Sequence, residues 1–263
     1  MISSLSNAQI KNIIQLQKKG RERKEQGVFV CEGIKMFEEA RAFKDGRIIK
    51  AYLSESYFEE QNQIGNHFED VPYEVVSDQV FREISETMTP QGILAIVKQP
   101  EYTLLDMIKD EEARLLLLED IRDPGNLGTM VRTAEGAGFS GIILSKGSVD
   151  MFNPKVIRST MGAIYRVPFI YSENFLDTLA DLKKKQVSIY AAHLEGACDY
   201  DAISYEKKTA ILIGNEANGL SDESAAIASR CIKIPMEGNV ESLNAGVAAA
   251  ILMYEVYRQK RIV

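Results

Sequence analysis

Apolar residues recur at intervals of three and four over residues 7–19 and again over 33–43, which predicts two amphipathic helices near the amino terminus. Short runs rich in β-branched residues predict strands over 28–31, 48–53 and 92–98. Gln99-Pro100-Glu101 then breaks the pattern, and a polar helix over 104–112 reads as a linker. Residues 115–118 are leucine without interruption, as expected of a strand covered on both faces. Beyond them helices over 127–137, 154–161 and 175–185 alternate with strands over 141–144, 167–170, 187–191, 210–213 and 231–234. A last helix runs from about residue 243 to 259. Such alternation predicts an α/β fold with a mainly parallel sheet covered by helices, preceded by a smaller α/β domain. The expected division is 1–103 and 104–263.

Composition narrows the function classes. No apolar run approaches the roughly 20 residues that span a bilayer, and the opening residues turn polar too early for a secretory signal. A cytoplasmic protein is expected. Cys31, Cys198 and Cys231 are far apart and form no C-x-x-C pair, so reduced thiols are expected. His67 and His193 are the two histidines, which excludes a histidine-rich metal centre and argues against a Ser-His-Asp triad; no metal is expected. The formal net charge of −7 weighs against a nucleic-acid partner in sum, but location matters more than sum. Lys11, Lys18, Lys19, Arg21, Arg23 and Lys24 crowd one stretch opposed by Glu22 and Glu25. That stretch reads equally as a solvated helix face running into a loop or as a phosphate-binding patch.

Glycine placement disposes of one enzyme class. Gly136-Ala137-Gly138-Phe139-Ser140-Gly141 matches G-x-G-x-x-G, but it closes a helix and precedes a strand. Dinucleotide binding needs the reverse order, so these glycines predict a helix C-cap and a tight turn, and a nucleotide-dependent oxidoreductase loses its support.

Ligands of an open parallel sheet bind beyond the carboxyl ends of its strands, so the loops that follow the strands carry the chemistry. After the leucine run come Pro124-Gly125, a turn, and Asn126, placed as a helix N-cap, with Arg132 within two turns of it. After 210–213 come Gly214-Asn215-Glu216 and Gly219, where an acid sits between glycines that an ordinary turn alone would explain. After 231–234 come Pro235-Met236 and then Ser242-Leu243-Asn244, ahead of a helix of small apolar residues. Ser242 or Asn244 is positioned to cap that helix, and the helix itself suits close packing within one chain or between two.

Together the three loops resemble the SpoU (TrmH) family of RNA ribose methyltransferases of the SPOUT class, over about the last 150 residues. The family's first motif is similar to Asn126-Leu127-Gly128 running on to Arg132-Thr133-Ala134. The second resembles Gly214-Asn215-Glu216 with Gly219, and the third Ile234-Pro235-Met236 with Ser242-Leu243-Asn244. The first half resembles more loosely a ribosomal-protein-like RNA-binding domain, through Ser4-Leu5-Ser6-Asn7, Ile10-Lys11, Glu32-Gly33 and Thr89-Pro90-Gln91-Gly92-Ile93. The resemblance implies a trefoil-knotted catalytic domain that uses S-adenosylmethionine to methylate a ribose 2′-hydroxyl. It implies cofactor contacts at Gly214, Ile234 and Leu243, with Ala192 and His193 lining the same cavity. Arg132 would stand at the reaction centre as proton acceptor or electrostatic stabiliser, and Asn126, Glu216, Ser242 and Asn244 would hold it and the ribose. A homodimer whose sites borrow residues across the interface is also implied. Ribosomal RNA is the favoured substrate, with transfer RNA or non-catalytic RNA binding as alternatives.

Overall fold

The computed structural model of the chain describes residues 1–43, 48–65, 68, 70–194, 196 and 198–262; His67 lies outside them. Elements follow in chain order. Helices α1 (Ala8–Lys18) and α2 (Gly20–Gln26) precede strand β1 (Val28–Glu32) and helix α3 (Ile34–Ala42). Strand β2 (Ile48–Ser54), helix α4 (Glu55–Gln63), strand β3 (Tyr73–Val76), helix α5 (Asp78–Ile84) and strand β4 (Ile93–Lys98) complete the first half. The second half begins with helix α6 (Leu104–Ile108), strand β5 (Ala113–Leu118), helix α7 (Pro124–Gly136), strand β6 (Gly141–Ser145) and helix α8 (Pro154–Thr160). Strand β7 (Phe169–Ser172), helix α9 (Phe175–Lys184) and strands β8 (Ser188–Ala192), β9 (Cys198–Asp199) and β10 (Lys208–Ile213) come next. Helix α10 (Asp222–Ile227), strand β11 (Arg230–Lys233) and helix α11 (Ala245–Ile262) end the chain. No helix of the described residues is long and apolar enough to cross a membrane.

Two compact units emerge, Met1–Glu101 with Asp150–Tyr165, and Tyr102–Val149 with Arg166–Val263. The compact body drawn from residue 104 onward therefore gives up α8 and the turn after it, which fold with the first unit. That unit holds a four-stranded sheet in the order β1-β4-β2-β3, antiparallel except for the β2–β3 pair. Asn7 caps α1 by accepting from the Gln9 amide. Residues 20–26, read as loop, are helix α2, which stops at Gly27 in the left-handed conformation (φ 64°).

Arg23 explains why α2 forms without an apolar stripe. Its side chain is 5 % exposed and pairs with Asp150 at 2.5 Å. One terminal nitrogen also donates to the carbonyls of Leu16 (2.6 Å) and Gln17 (3.0 Å) at the end of α1. A guanidinium buried this deeply needs both its charge partner and its acceptors.

The second unit holds seven strands in the order β7-β6-β5-β10-β8-β11-β9, every neighbouring pair parallel. Leu115, Leu116, Leu117 and Leu118 are fully buried, so β5 is covered on both faces as its sequence demands. Leu115 and Leu117 pack with Leu179 and Leu182 of α9. Met107 and Ile108 of α6 join the same cluster, so the expected polar linker is shorter than predicted and packed. Gly138 takes φ 65° just past α7, the turn role expected of it. The chain runs outward from β5 to β6 and β7, then returns to lay β10 on the other side of β5, which makes β5/β10 a point where strand order reverses.

Replacing Asp150 by Asn keeps the turn acceptor for the Phe152 amide (2.9 Å) but removes the charge that Arg23 faces. Urea unfolding of this variant is expected to show a loss of roughly 2–3 kcal/mol, below the full cost of stranding a buried charge because Asp150 is partly exposed. A change under about 0.5 kcal/mol would show that the ion pair is not what holds α2.

Candidate active site

Strands β5 and β10 end side by side, with Leu118 opposite Ile213, so the loops that follow leave the sheet together. The β10 loop is tightly closed. A Cβ on Gly214 would lie 2.3 Å from the Gly219 carbonyl carbon, so only glycine fits there. Asn215 folds the turn: its side-chain oxygen accepts from the Ala217 amide (2.9 Å) and the Asn218 amide (3.1 Å). Its Nδ2 donates to the Asp120 carbonyl at 2.7 Å, which ties this loop to the end of β5.

Glu216 then reaches into the β5 loop. Its carboxylate accepts from the amides of Arg122 (3.1 Å) and Asp123 (3.0 Å) and from Nδ2 of Asn126 (3.1 Å). The Asn126 side-chain oxygen accepts in turn from Nδ2 of Asn244 at 2.9 Å. Asn244 Oδ1 accepts from the amides of Gly246 (2.9 Å) and Val247 (3.2 Å), which caps α11. The direction of this chain is forced: a carboxylate can only accept and helix amides can only donate, so each asparagine has one allowed orientation. Burial pushes the Glu216 carboxyl up, but the bonds from Asn126 and the two loop amides outweigh it and hold it below the usual glutamate range. The anchor is therefore complete at neutral pH and is lost only as pH falls through that lowered value.

Asn126 is not the helix N-cap expected of it. Asp123 takes that place, accepting from the Asn126 amide at 2.7 Å, with Pro124 in the first helical position. The correction releases the Asn126 side chain for the chain just described.

Beside this chain lies a cavity of about 300 Å³. Ala192, His193, Gly214, Ile234 and Leu243, the five proposed cofactor contacts, all line it. Ile213, Ile232, Met236, Ala248 and Leu252 add apolar walls. A second, polar opening is lined by Arg122, Asp123, Asn126, Glu216, Ser242 and Asn244, and shares Glu216, Ser242, Leu243 and Ala245 with the first. The structure thus brings together Asn126, Glu216, Ser242 and Asn244. It does not bring Arg132 to them: that residue is exposed on α7 and lines neither opening. Six residues beyond Asn126, it lies about 9 Å along the helix and roughly 120° around it. Among the described residues no group of three or more His, Cys, Asp or Glu side chains could hold a metal ion.

In the first unit, Lys18, Lys19, Arg21 and Lys24 are exposed, Arg21 pairing with Glu25 at 2.6 Å. Arg23 must be struck from the proposed phosphate contacts, since its guanidinium is spent on Asp150 and two carbonyls. Glu119 went unnoticed in the sequence. Its carboxylate accepts from the Ser221 amide (3.0 Å), the Ser221 hydroxyl (2.7 Å) and the Ser224 hydroxyl (2.7 Å), and so fixes the start of α10. A carboxylate directly after four buried leucines was the signal.

A largely apolar-walled cavity over parallel strand ends, with an ordered polar opening beside it, is the arrangement in which an α/β enzyme holds a cofactor next to a hydrophilic substrate. Comparison with known proteins makes this specific. Residues 113–254 match the SpoU rRNA methylase family, and residues 7–95 match the MRM3-like substrate binding domain. The chain belongs to the SpoU rRNA methylase family. It is 33% identical over 256 residues to the 23S rRNA (guanosine(2553)-2′-O)-methyltransferase RlmP of Bacillus subtilis, covering 97% of this chain and 98% of that protein. A putative TrmH family tRNA/rRNA methyltransferase of Staphylococcus haemolyticus is 36% identical over 65% of this chain and 71% of its own length. The crystal structure of an AdoMet-bound rRNA methyltransferase from Sinorhizobium meliloti superposes with a TM-score of 0.83 at 31% identity, over 98% of this chain and 97% of that one.

Glu216→Gln removes the charge that two loop amides and Asn126 share. Its kcat is expected to fall at least about tenfold, the loss of roughly 1.4 kcal/mol of transition-state stabilisation. Steady-state kinetics check this, and a variant with wild-type kcat would show that the chain does not position the reacting groups.

Proposed function

We propose that the protein transfers a methyl group from S-adenosylmethionine to a ribose 2′-hydroxyl of ribosomal RNA, as a cytoplasmic homodimer. One observation carries the reading: the Glu216–Asn126–Asn244 chain joins all three motif loops beside a cavity lined by the five nominated cofactor residues. The cavity suits the cofactor, with apolar walls for a flat heterocycle and Asn215, Glu216 and Asn218 at its polar side. Bound there, S-adenosylmethionine supplies a methyl group already activated by its positive sulfur. The residues of this chain then have positioning and charge to provide. Ser242, Asn244 and Asn126 edge the polar opening and orient the ribose, and Glu216 fixes Asn126. Methylation of the ribose oxygen would require its hydroxyl proton to pass to solvent. A guanidinium holds its protons too tightly to act readily as a base, so Arg132 serves best by stabilising the oxygen as its proton departs.

Arg132 faces away from the cavity of its own chain, and the α7 surface supports its delivery to a second copy. Thr129, Arg132 and Gly136 follow one another on the exposed side of α7 at helical spacing. Tyr254 of α11 abuts this side, its hydroxyl 3.2 Å from where a Cβ of Gly136 would be, and Tyr254 and Val247 are half exposed. Small residues on α7 with exposed apolar residues on α11 suit close packing of a second chain, which would carry Arg132 to the partner's polar opening. The trefoil threading implied by the family belongs to the same reading. Ribosomal RNA is favoured over transfer RNA because the full-length relative acts on 23S rRNA.

Incubating the protein with methyl-labelled cofactor and an unmodified 23S rRNA transcript is expected to place label on a ribose 2′-oxygen; label on a base would overturn the proposal. The trans arrangement has its own test. Arg132→Ala and a cavity-blocking Leu243→Arg variant are each expected to be inactive alone. Co-expressed, they should recover about a quarter of wild-type turnover, because half of the dimers then carry one intact site of two. No recovery would place Arg132 in the site of its own chain.

A further inference from the structure

Arg122 lines the polar opening of the second unit, and among the described residues no other lysine or arginine does. Its backbone is fixed there, because its amide donates to Glu216 at 3.1 Å. Its side chain is exposed, and among the described residues no hydrogen bond or ion pair engages its guanidinium. Elsewhere in this acidic chain arginines find carboxylates, as Arg23, Arg41, Arg166 and Arg258 do.

Two carboxylates line the same opening, and neither takes this guanidinium. Glu216 is filled by two loop amides and Asn126. Asp123 caps α7, accepting from the Asn126 amide at 2.7 Å, with its charge set against the positive end of that helix. Glu237 and Glu241, exposed in the loop before Ser242, line neither opening, and neither does Arg132. Arg122 is thus a cation held at the mouth by its own backbone and left available because the acids beside it are committed elsewhere.

A ribose 2′-hydroxyl brings an anion with it. The 3′-phosphodiester hangs from the adjacent ring carbon, so an opening that admits the hydroxyl must also admit that charge. Where two carboxylates already form the wall, the phosphate needs a cation to enter. We propose that Arg122 binds the phosphate on the 3′ side of the methylated nucleotide, its planar guanidinium donating two parallel hydrogen bonds. The proposal rests on the ribose methyltransferase reading and adds a substrate-binding residue from the same chain that supplies the cavity. By holding the phosphate, Arg122 fixes the ring that carries the reacting oxygen against Ser242, Asn126 and Asn244.

Full-length protein is tested on an unmodified 23S rRNA transcript and on a ligated copy of it. The copy carries one uncharged methylphosphonate 3′ of the nucleotide that takes the methyl label. Arg122→Ala keeps the amide bonded to Glu216. It is expected to lower kcat/KM for the transcript at least about tenfold, with S-adenosylhomocysteine affinity unchanged. Its log kcat/KM should also fall less steeply with log salt, by about 0.7–0.9 in slope, the signature of one lost phosphate contact. Wild-type protein should lose a similar factor on the methylphosphonate copy, while Arg122→Ala loses no more than about twofold further there. A variant with wild-type kcat/KM, or one that loses about tenfold more on the copy, would overturn the proposal and leave the methyltransferase reading intact. If wild-type protein methylates no ribose of the transcript, that reading fails instead. Binding of the same transcript, followed by fluorescence anisotropy, then decides on Arg122 by the same factor and slope.

Discussion

One acceptor governs the second unit. Glu216 can only receive hydrogen bonds, and it receives them from two backbone amides and one asparagine of a loop about ninety residues earlier in the chain. Because it only accepts, Asn126 must present its nitrogen to it and its oxygen to Asn244, and Asn244 must present its oxygen to the amides of α11. Three loops that would otherwise move independently therefore share one arrangement. Conformational entropy opposes such ordering at every residue, and charge-assisted bonds are the kind strong enough to offset it at a surface open to water.

The sheet makes this linkage possible before any side chain acts. Laying β10 against β5 brings Leu118 and Ile213 into register, so the two loops start as neighbours. Backbone geometry then sharpens the approach. Asp120 adopts φ 53°, rare for a residue with a side chain, and hydrogen bonds with Ser145 at 2.6 and 2.8 Å steady it there. Its carbonyl is thereby aimed at Asn215. With Gly214 pressed against Gly219, the loop closes with no room for a side chain, and the cavity wall beside it is fixed by backbone.

Elements whose formation depends on apolar burial were legible in the sequence. The leucines of β5 and the glycine turn after α7 declare themselves by pattern alone, whereas Gly214, Ile234 and Leu243, which line the cavity, were nominated by the family resemblance. What stayed hidden depends on polar or tertiary forces. Helix α2 has no apolar stripe because its buried residue is Arg23, and its partner Asp150 lies far along the chain. That α8 folds with the first unit has no local signature either. Helix α5, by contrast, was legible and passed over: Ser77 caps it, and Val80, Phe81 and Ile84 are spaced for one buried face. Asn126 was misjudged because two residues in the segment can cap a helix, and the proline after Asp123 decides between them.

Electrostatics limits how near the proposed cofactor the proposed Arg132 guanidinium can stand. A guanidinium held beside a sulfonium would set two like charges together, at about 4 kcal/mol for 4 Å in a medium of effective dielectric about 20. Among the described residues the cavity wall bears no arginine, and its lysine, Lys233, has Asp199 4.0 Å away. Delivered to the polar opening by a second chain, as proposed, Arg132 would stand apart from the apolar cavity, and the phosphates of bound RNA would supply the negative charge it faces. On this reading the proposed reaction centre would be electrostatically complete only with the substrate in place.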